Sequence, residues 1–178
     1  MNLDWSQLDL ARHGDETAWR SLVDRHSPRL LKMVVLITGS PAAAQDIIQQ
    51  TFLDLYRKGP RHNHGSFQGY LSTVAYHQAI KEKRRVKKLQ PFGAVDMPSC
   101  NWTPLDIALA EEKERIISDV IQSLEKSHRD ILILRFYGEH SYKEIAGISG
   151  LPLGTVKSRI FNALKKCRIL LREKGDLK

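Results

Sequence analysis

Cysteine is scarce in this chain, long apolar runs are missing and strand-like patterning is absent, and each shortage closes a class of explanation. Only Cys100 and Cys167 occur among 178 residues, which supports neither a disulfide framework nor a paired zinc motif. The longest uninterrupted aliphatic run is MVVLI at 33–37, far short of the roughly 20 apolar residues that a membrane-spanning helix needs. The opening stretch MNLDWSQLDL is acidic and has no basic segment followed by an apolar one, so no signal peptide is expected and the protein reads as soluble and cytoplasmic. Apolar and polar residues nowhere alternate over a useful length, whereas apolar spacings of three and four recur throughout, which predicts an all-α protein.

The composition that remains is that of a folding chain, 42% hydrophobic and 27% charged, of a size for one ordinary domain or two small ones. Lys and Arg outnumber Asp and Glu by 28 to 20, a formal charge of +8. That excess favours phosphate-bearing or acidic partners without choosing between nucleic acid, anionic lipid and an acidic protein.

The first helix is expected over TAWRSLVDRHSPRLLKMVVLITG, with Trp19, Leu22, Val23, Leu30, Met33, Val34 and Ile37 inward, a bend at Pro28 and a stop at Gly39. Ser40 as cap and Pro41 as first residue launch a second helix, AAAQDIIQQTFLDLYRK, with Ile47, Ile48, Thr51, Phe52 and Leu55 on one face and Gly59-Pro60 as its end. After the polar loop RHNHG, Ser66 can cap a third helix carrying Phe67, Tyr70, Leu71, Val74, Ala75 and Ile80. It ends in KEKRRVKK at 81–88, six cations around one Glu, more than a helix macrodipole alone accounts for. Pro91, Gly93, Pro98 and Pro104 then break the periodicity and mark a flexible linker. Two small helical domains are therefore expected, residues 1–88 and 106–178, joined by a linker at 89–105.

In the second domain, helix PLDIALAEEKERIISDVIQSL is followed by SHRDILILRFYG, where Ser127 and Asp130 have capping-box spacing. Ser141 and Glu144 repeat that spacing before a short helix, Gly150 supplies a turn, and Leu151 and Pro152 start the last helix. The result is helix, tight turn, helix. On a helical wheel Val156, Ile160, Ala163, Leu164 and Cys167 share an apolar arc, opposite Thr155, Ser158, Phe161, Asn162, Lys165 and Lys166. Short polar groups near the helix start and lysines further along suit a helix laid into a major groove. Phe161 either touches a thymine methyl there or covers the edge of a small core. From residue 155 onward eight Lys and Arg face two acidic residues, so DNA binding should depend on salt.

The strings AAAQDIIQQTFLDLYR, FQGYLSTVAYHQAIKEKRR and LEKSHRDILILRFYGEHSYKEIAGISGLPLGTVKSR, in that order, resemble the two folded regions of an extracytoplasmic-function sigma factor, the specificity subunit of bacterial RNA polymerase. The resemblance implies that the helix at 41–57 docks on the polymerase clamp coiled coil through Asp46, Gln49, Gln50, Asp54 and Arg57. It implies capture of the melted minus-ten element by Arg61, Asn63, Tyr76, His77, Lys81, Arg84 and Arg85. Tyr70 is either part of that surface or the core aromatic at the position where the family has Trp. Duplex minus-thirty-five DNA would fall to Thr155, Lys157, Ser158, Arg159, Phe161, Asn162 and Lys165. His77 and Lys81 stand where the family often has Asn and Asp, and Gln50 where Glu is frequent. Core polymerase (clamp and flap), promoter DNA and an anti-sigma factor able to hold the protein at the membrane are the implied partners, with no enzymatic activity, metal or cofactor.

Competing readings are a conventional dimeric regulator, a metal-assisted enzyme built on His62 and His64, and a peripheral membrane protein. The His pair has no carboxylate or cysteine at ligand spacing, and the basic cluster has no adjacent apolar insertion face.

Overall fold

The computed structural model describes residues 3–60, 66–89 and 112–173. Arg61, the His62/His64 loop with Asn63, Cys100 and nearly all of the expected linker lie outside the described residues. The chain divides into two compact units, Met1–Val95 and Asp96–Lys178, and the described residues form helices and no strand.

The first unit has four helices, α1 (Leu3–Arg12), α2 (Glu16–Thr38), α3 (Pro41–Lys58) and α4 (Phe67–Leu89). Its core is the set of apolar stripes that α2, α3 and α4 turn toward one another: Leu22, Leu30, Met33 and Val34 with Ala44, Leu55, Phe67, Leu71 and Ala75, all buried. α2 begins where the Asp15 carboxylate accepts from the Thr17 and Ala18 amides and ends on Gly39 in the left-handed region, the conformation glycine adopts without a Cβ penalty. Those hydrogen bonds hold the Asp15 carboxyl below the usual range, the Thr17 side chain contributing most. Ser40 caps α3 through the Ala43 amide, with Pro41 as its first residue, and Ser66 caps α4 through the Gly69 amide. α2 is continuous through Pro28.

α1 was not expected. Leu8 and Ala11 are buried beneath it, while Asp4 pairs with Arg25 at 2.5 Å.

The second unit holds α5 (Glu112–Ser123), α6 (Lys126–Phe136), α7 (Tyr142–Ser149) and α8 (Leu153–Glu173). Ile131, Ile133, Leu134, Ile145, Val156 and Ile160 are buried within it. Leu124, Leu132 and Ala163 form a further cluster that Cys167 and Leu170 cover. Burial pushes the Cys167 thiol pKa up, which keeps it in the unreactive protonated form. The expected cap of α6 is corrected: the helix starts at Lys126 with Glu125 in the cap position and no side-chain cap. Asp130 is instead paired with Lys126 one turn earlier.

Candidate nucleic-acid interface

The helix-turn-helix is assembled from local chemistry. Ser141 Oγ accepts from the Glu144 amide while the Glu144 carboxylate accepts from the Ser141 amide, a reciprocal capping box that satisfies two orphan donors of α7. The same bonds lower the Glu144 pKa. Gly150, at φ 68°, closes α7 in the left-handed region and turns the chain into α8, whose first intrahelical bond runs from the Val156 amide to the Pro152 carbonyl.

At the other end of α7, His140 immediately precedes the capping Ser141 and is 2% exposed. Its ring lies against Gly138, where a Cβ would come within 2.7 Å of the ring Cδ2. Burial lowers the His140 pKa and the nearby Glu144 charge only partly opposes that. The folded state therefore resists a proton that the unfolded chain accepts below about pH 6.5. Stability is fully present above that value and is lost as pH falls toward the folded pKa. Hydrogen exchange at α6 and α7 amides should show easier opening at pH 5.5 than at 7.5, and His140→Leu should abolish the difference; an equal difference in the variant would assign it to another group.

On α8 the apolar stripe Val156, Ile160, Ala163 is buried. Lys157, Ser158, Asn162 and Lys165 are exposed, and Thr155 and Arg159 half-buried. Phe161 is 70% exposed, so it does not cover a core edge. It shares one side with Lys157, Lys165 and Arg168, a run at spacings of four, four and three whose members are all exposed. Arg168 was not anticipated. Leu164, placed on the inward arc by periodicity, is 43% exposed, because the packed stripe runs through Ala163, Cys167 and Leu170 and leaves Leu164 on its flank. Lys166 is partly committed, meeting Glu125 at 3.1 Å.

In the first unit Asp46, Gln49, Gln50 and Arg57 are exposed on α3. Asp54 is half-buried and accepts from Lys58 at 2.8 Å. Beside Gln49 runs an apolar groove of about 610 Å³ between α2 and α3, lined by Trp19, Val23, Pro28, Leu31, Phe52 and Leu53 among others. Phe52 is buried at its base, whereas Trp19 and Val23, expected inward, are half-buried along its wall.

On α4, His77, Lys81, Arg84 and Lys88 are exposed at spacings of four, three and four, one straight row of about 17 Å at the helical rise. Arg84 and Arg85 are not equivalent. Arg85 grips Glu82 with two hydrogen bonds, 2.9 and 2.7 Å, which raises the Arg85 pKa and lowers that of Glu82. Lys83 turns back to the Ile37 carbonyl at the end of α2. Tyr76 is a correction: at 8% exposure its ring belongs to the inward face with Ser72 and Ala79, both fully buried, and is not open for a base to stack on. Tyr70 is half-buried, edge-on to Trp5 at 5.6 Å.

Two family models match, one in each unit: Sigma-70 region 2 over residues 22–89 and Sigma-70, region 4 over residues 114–167. The ECF RNA polymerase sigma factor SigL of Mycobacterium tuberculosis is 29% identical over 160 residues, 88% of this chain and 90% of that protein. The RNA polymerase sigma factor CarQ of Myxococcus xanthus is 27% identical over 170 residues, 93% and 96% of the two chains. Among solved structures, the sigma factor RpoE in complex with the anti-sigma factor NepR from Bartonella quintana matches with a TM-score of 0.69 at 20% identity, covering 86% of this chain and 96% of that one. CnrH, in complex with the cytosolic domain of CnrY, matches at 0.63 and 19% identity, covering 96% and 97%. At those identities the two structures bear on the fold.

Proposed function

The chain belongs to the sigma-70 family, as an extracytoplasmic-function sigma factor of bacterial RNA polymerase, and from that premise we propose how its residues divide the work of promoter selection. The exposed row Asp46, Gln49, Gln50 and Arg57, with Asp54 beside it, docks α3 on the clamp coiled coil of core polymerase. Uncharged amides and a carboxylate supply directional contacts there. The row His77, Lys81, Arg84 and Lys88 on α4 follows the melted minus-ten strand, with Arg61 and Asn63 contributing from the preceding segment. The second unit presents α8 to the major groove of the minus-thirty-five element. Lys157 and Lys165 meet phosphates, Ser158 and Asn162 reach base edges and Phe161 meets a thymine methyl.

The observation that carries this reading is the pair of exposed cationic rows, on α4 and on α8, standing on two separate units. Two modest contacts to one promoter reinforce each other when polymerase holds them at a fixed spacing, because the second binding step becomes intramolecular. Strand opening then needs no covalent chemistry from this chain, only the trapping of unstacked bases. The protein accordingly acts as a non-enzymatic recruiter in the cytoplasm, and no helix among the described residues is long and apolar enough to cross a membrane. The RpoE and CnrH complexes pair those proteins with an anti-sigma factor and with a cytosolic domain respectively, and we extend to this chain an anti-sigma factor that covers its DNA-binding surfaces.

Run-off transcription with core polymerase tests the reading directly. Addition of this chain should produce a discrete start site that core alone does not give. Tight binding of a palindromic operator without polymerase, or failure to associate with core, would replace this reading with that of a conventional regulator.

A further inference from the structure

α1 takes no part in the contacts proposed above, yet both of its ends are engaged, each with a different working helix. At its C-terminal end Arg12 Nε donates to the Tyr56 carbonyl at 3.1 Å, one of the orphan acceptors in the last turn of α3, where a cation also suits the helix dipole. The same guanidinium covers Gly59: a Cβ there would lie 2.8 Å from Arg12 Nη1 and 3.2 Å from Cζ, closer than side chains approach. Gly59 is buried and has φ 72°, so steric room and backbone conformation both call for glycine.

At its N-terminal end Trp5 sets its ring against Phe67 at 4.8 Å and Tyr70 at 5.6 Å, residues of the first turn of α4. Next to Trp5, Asp4 binds Arg25 of α2 at 2.5 Å and lies 3.3 Å from His26 Nε2. His26 Nδ1 in turn meets Gln68 Oε1 of α4 at 2.7 Å. From Trp5 to Arg12 a helix spans about 10 Å, a length that its backbone hydrogen bonds keep from stretching.

We propose that α1 is a brace that fixes the polymerase-docking helix α3 relative to the strand-holding helix α4, with Arg12 and Trp5 as its positioning residues. The proposal rests on the division of labour given above for α3 and α4. Polymerase holds one helix and the melted strand lies on the other, so play between them misplaces the cationic row that the strand must meet. A preorganised row binds more tightly than one that must be ordered on binding.

The experiment uses the full chain bound to saturating core polymerase on a fork template whose non-template minus-ten segment is single-stranded. Retention of that strand, core affinity and thermal unfolding are measured for wild type, Arg12→Ala, Arg12→Lys, Gly59→Ala and the double variant Arg12→Ala with Gly59→Ala. Arg12→Ala should weaken retention about fivefold, the scale of one ordinary net hydrogen bond, as suits an exposed guanidinium, with core affinity and folded fraction unchanged. Arg12→Lys should restore part of the loss, since an ammonium reaches the Tyr56 carbonyl but does not cover Gly59. Gly59→Ala should impair retention by displacing the guanidinium, and should cost less once Arg12 is gone, since only the displacement is lost with it; backbone strain at position 59 is common to both backgrounds and cancels from the coupling term of the cycle. Additive effects, or a retention loss matched by lost core affinity or lost folding, overturn the brace. If every variant holds the strand as wild type does, the brace alone fails. If wild-type holoenzyme shows no preference for the strand, the division of labour fails first and the brace with it.

Discussion

Phe161→Ala is expected to weaken holoenzyme binding to the duplex minus-thirty-five element about thirtyfold, or ~2 kcal/mol, the scale of withdrawing a phenylalanine side chain from water. Folding of the second unit should be unaffected. The ring is 70% exposed, so its truncation opens no core cavity and removes little buried area from the folded state. Its neighbours along the helix are Lys157 and Lys165, both exposed, which a phosphate backbone would hold on either side while the ring enters the groove between them. Two measurements separate this from a surface aromatic without a role. Anisotropy titration of labelled duplex should show the loss, and replacing thymine by uracil in the contacted step should cost the wild type affinity and cost the variant almost none. Equal affinities for the two proteins would remove Phe161 from the interface.

The second large effect concerns α4. Lys81→Ala combined with Arg84→Ala is expected to reduce the salt dependence of melted-strand binding by a slope of about 1.4, since each single-strand phosphate contact contributes about 0.7. At 0.1 M salt that corresponds to a loss of about 25-fold relative to a 1 M reference. Both side chains are exposed on the same row and neither helps to build the core. Association with core polymerase, which we assign to α3, should be unchanged. Binding of the non-template strand measured across a salt series decides it: a fall in affinity with an unaltered slope would mean that these residues do not meet phosphates. Arg85→Ala should do less than Arg84→Ala, because Arg85 starts from a bidentate carboxylate pair.

Features fixed by neighbours in the chain were legible in advance. Ser40 with Pro41, Ser66, the Ser141/Glu144 box and the left-handed Gly39 and Gly150 follow from what a helix end needs within a few residues. The same logic misled at Ser127 and Asp130, where the spacing fits a capping box but the helix begins earlier and Lys126 takes the carboxylate. α1 was hidden because a charged residue sits where an inward apolar one would announce the helix: Asp4 precedes the buried Leu8 and Ala11 by four and seven residues. Its partners Arg25 and His26 are more than twenty residues away, beyond any local pattern. Tyr76 was misplaced for a related reason, since Gln68 and Ser72 on its face are polar and yet buried. The exposed rows on α3, α4 and α8 were largely recoverable, because charge and amide groups at helical spacing stay in water unless something pairs with them. Which members are already paired, as Asp54 and Arg85 are, depends on side-chain geometry that spacing does not carry.

The grip of Glu82 on Arg85 gives the basic end of α4 two tiers. A loosely seated strand would meet only the outer cations, which displace the counterions condensed on its phosphates. On the proposed reading the guanidinium changes partners only for a phosphate that comes near enough to displace a carboxylate already at hydrogen-bonding distance, and the Glu82 charge this uncovers offsets the phosphate charge it neutralises, so few ions are released on balance. Arg85 is thus a cation in reserve, engaged by closeness of fit more than by charge, and its share of the grip should persist in brine that strips away the rest.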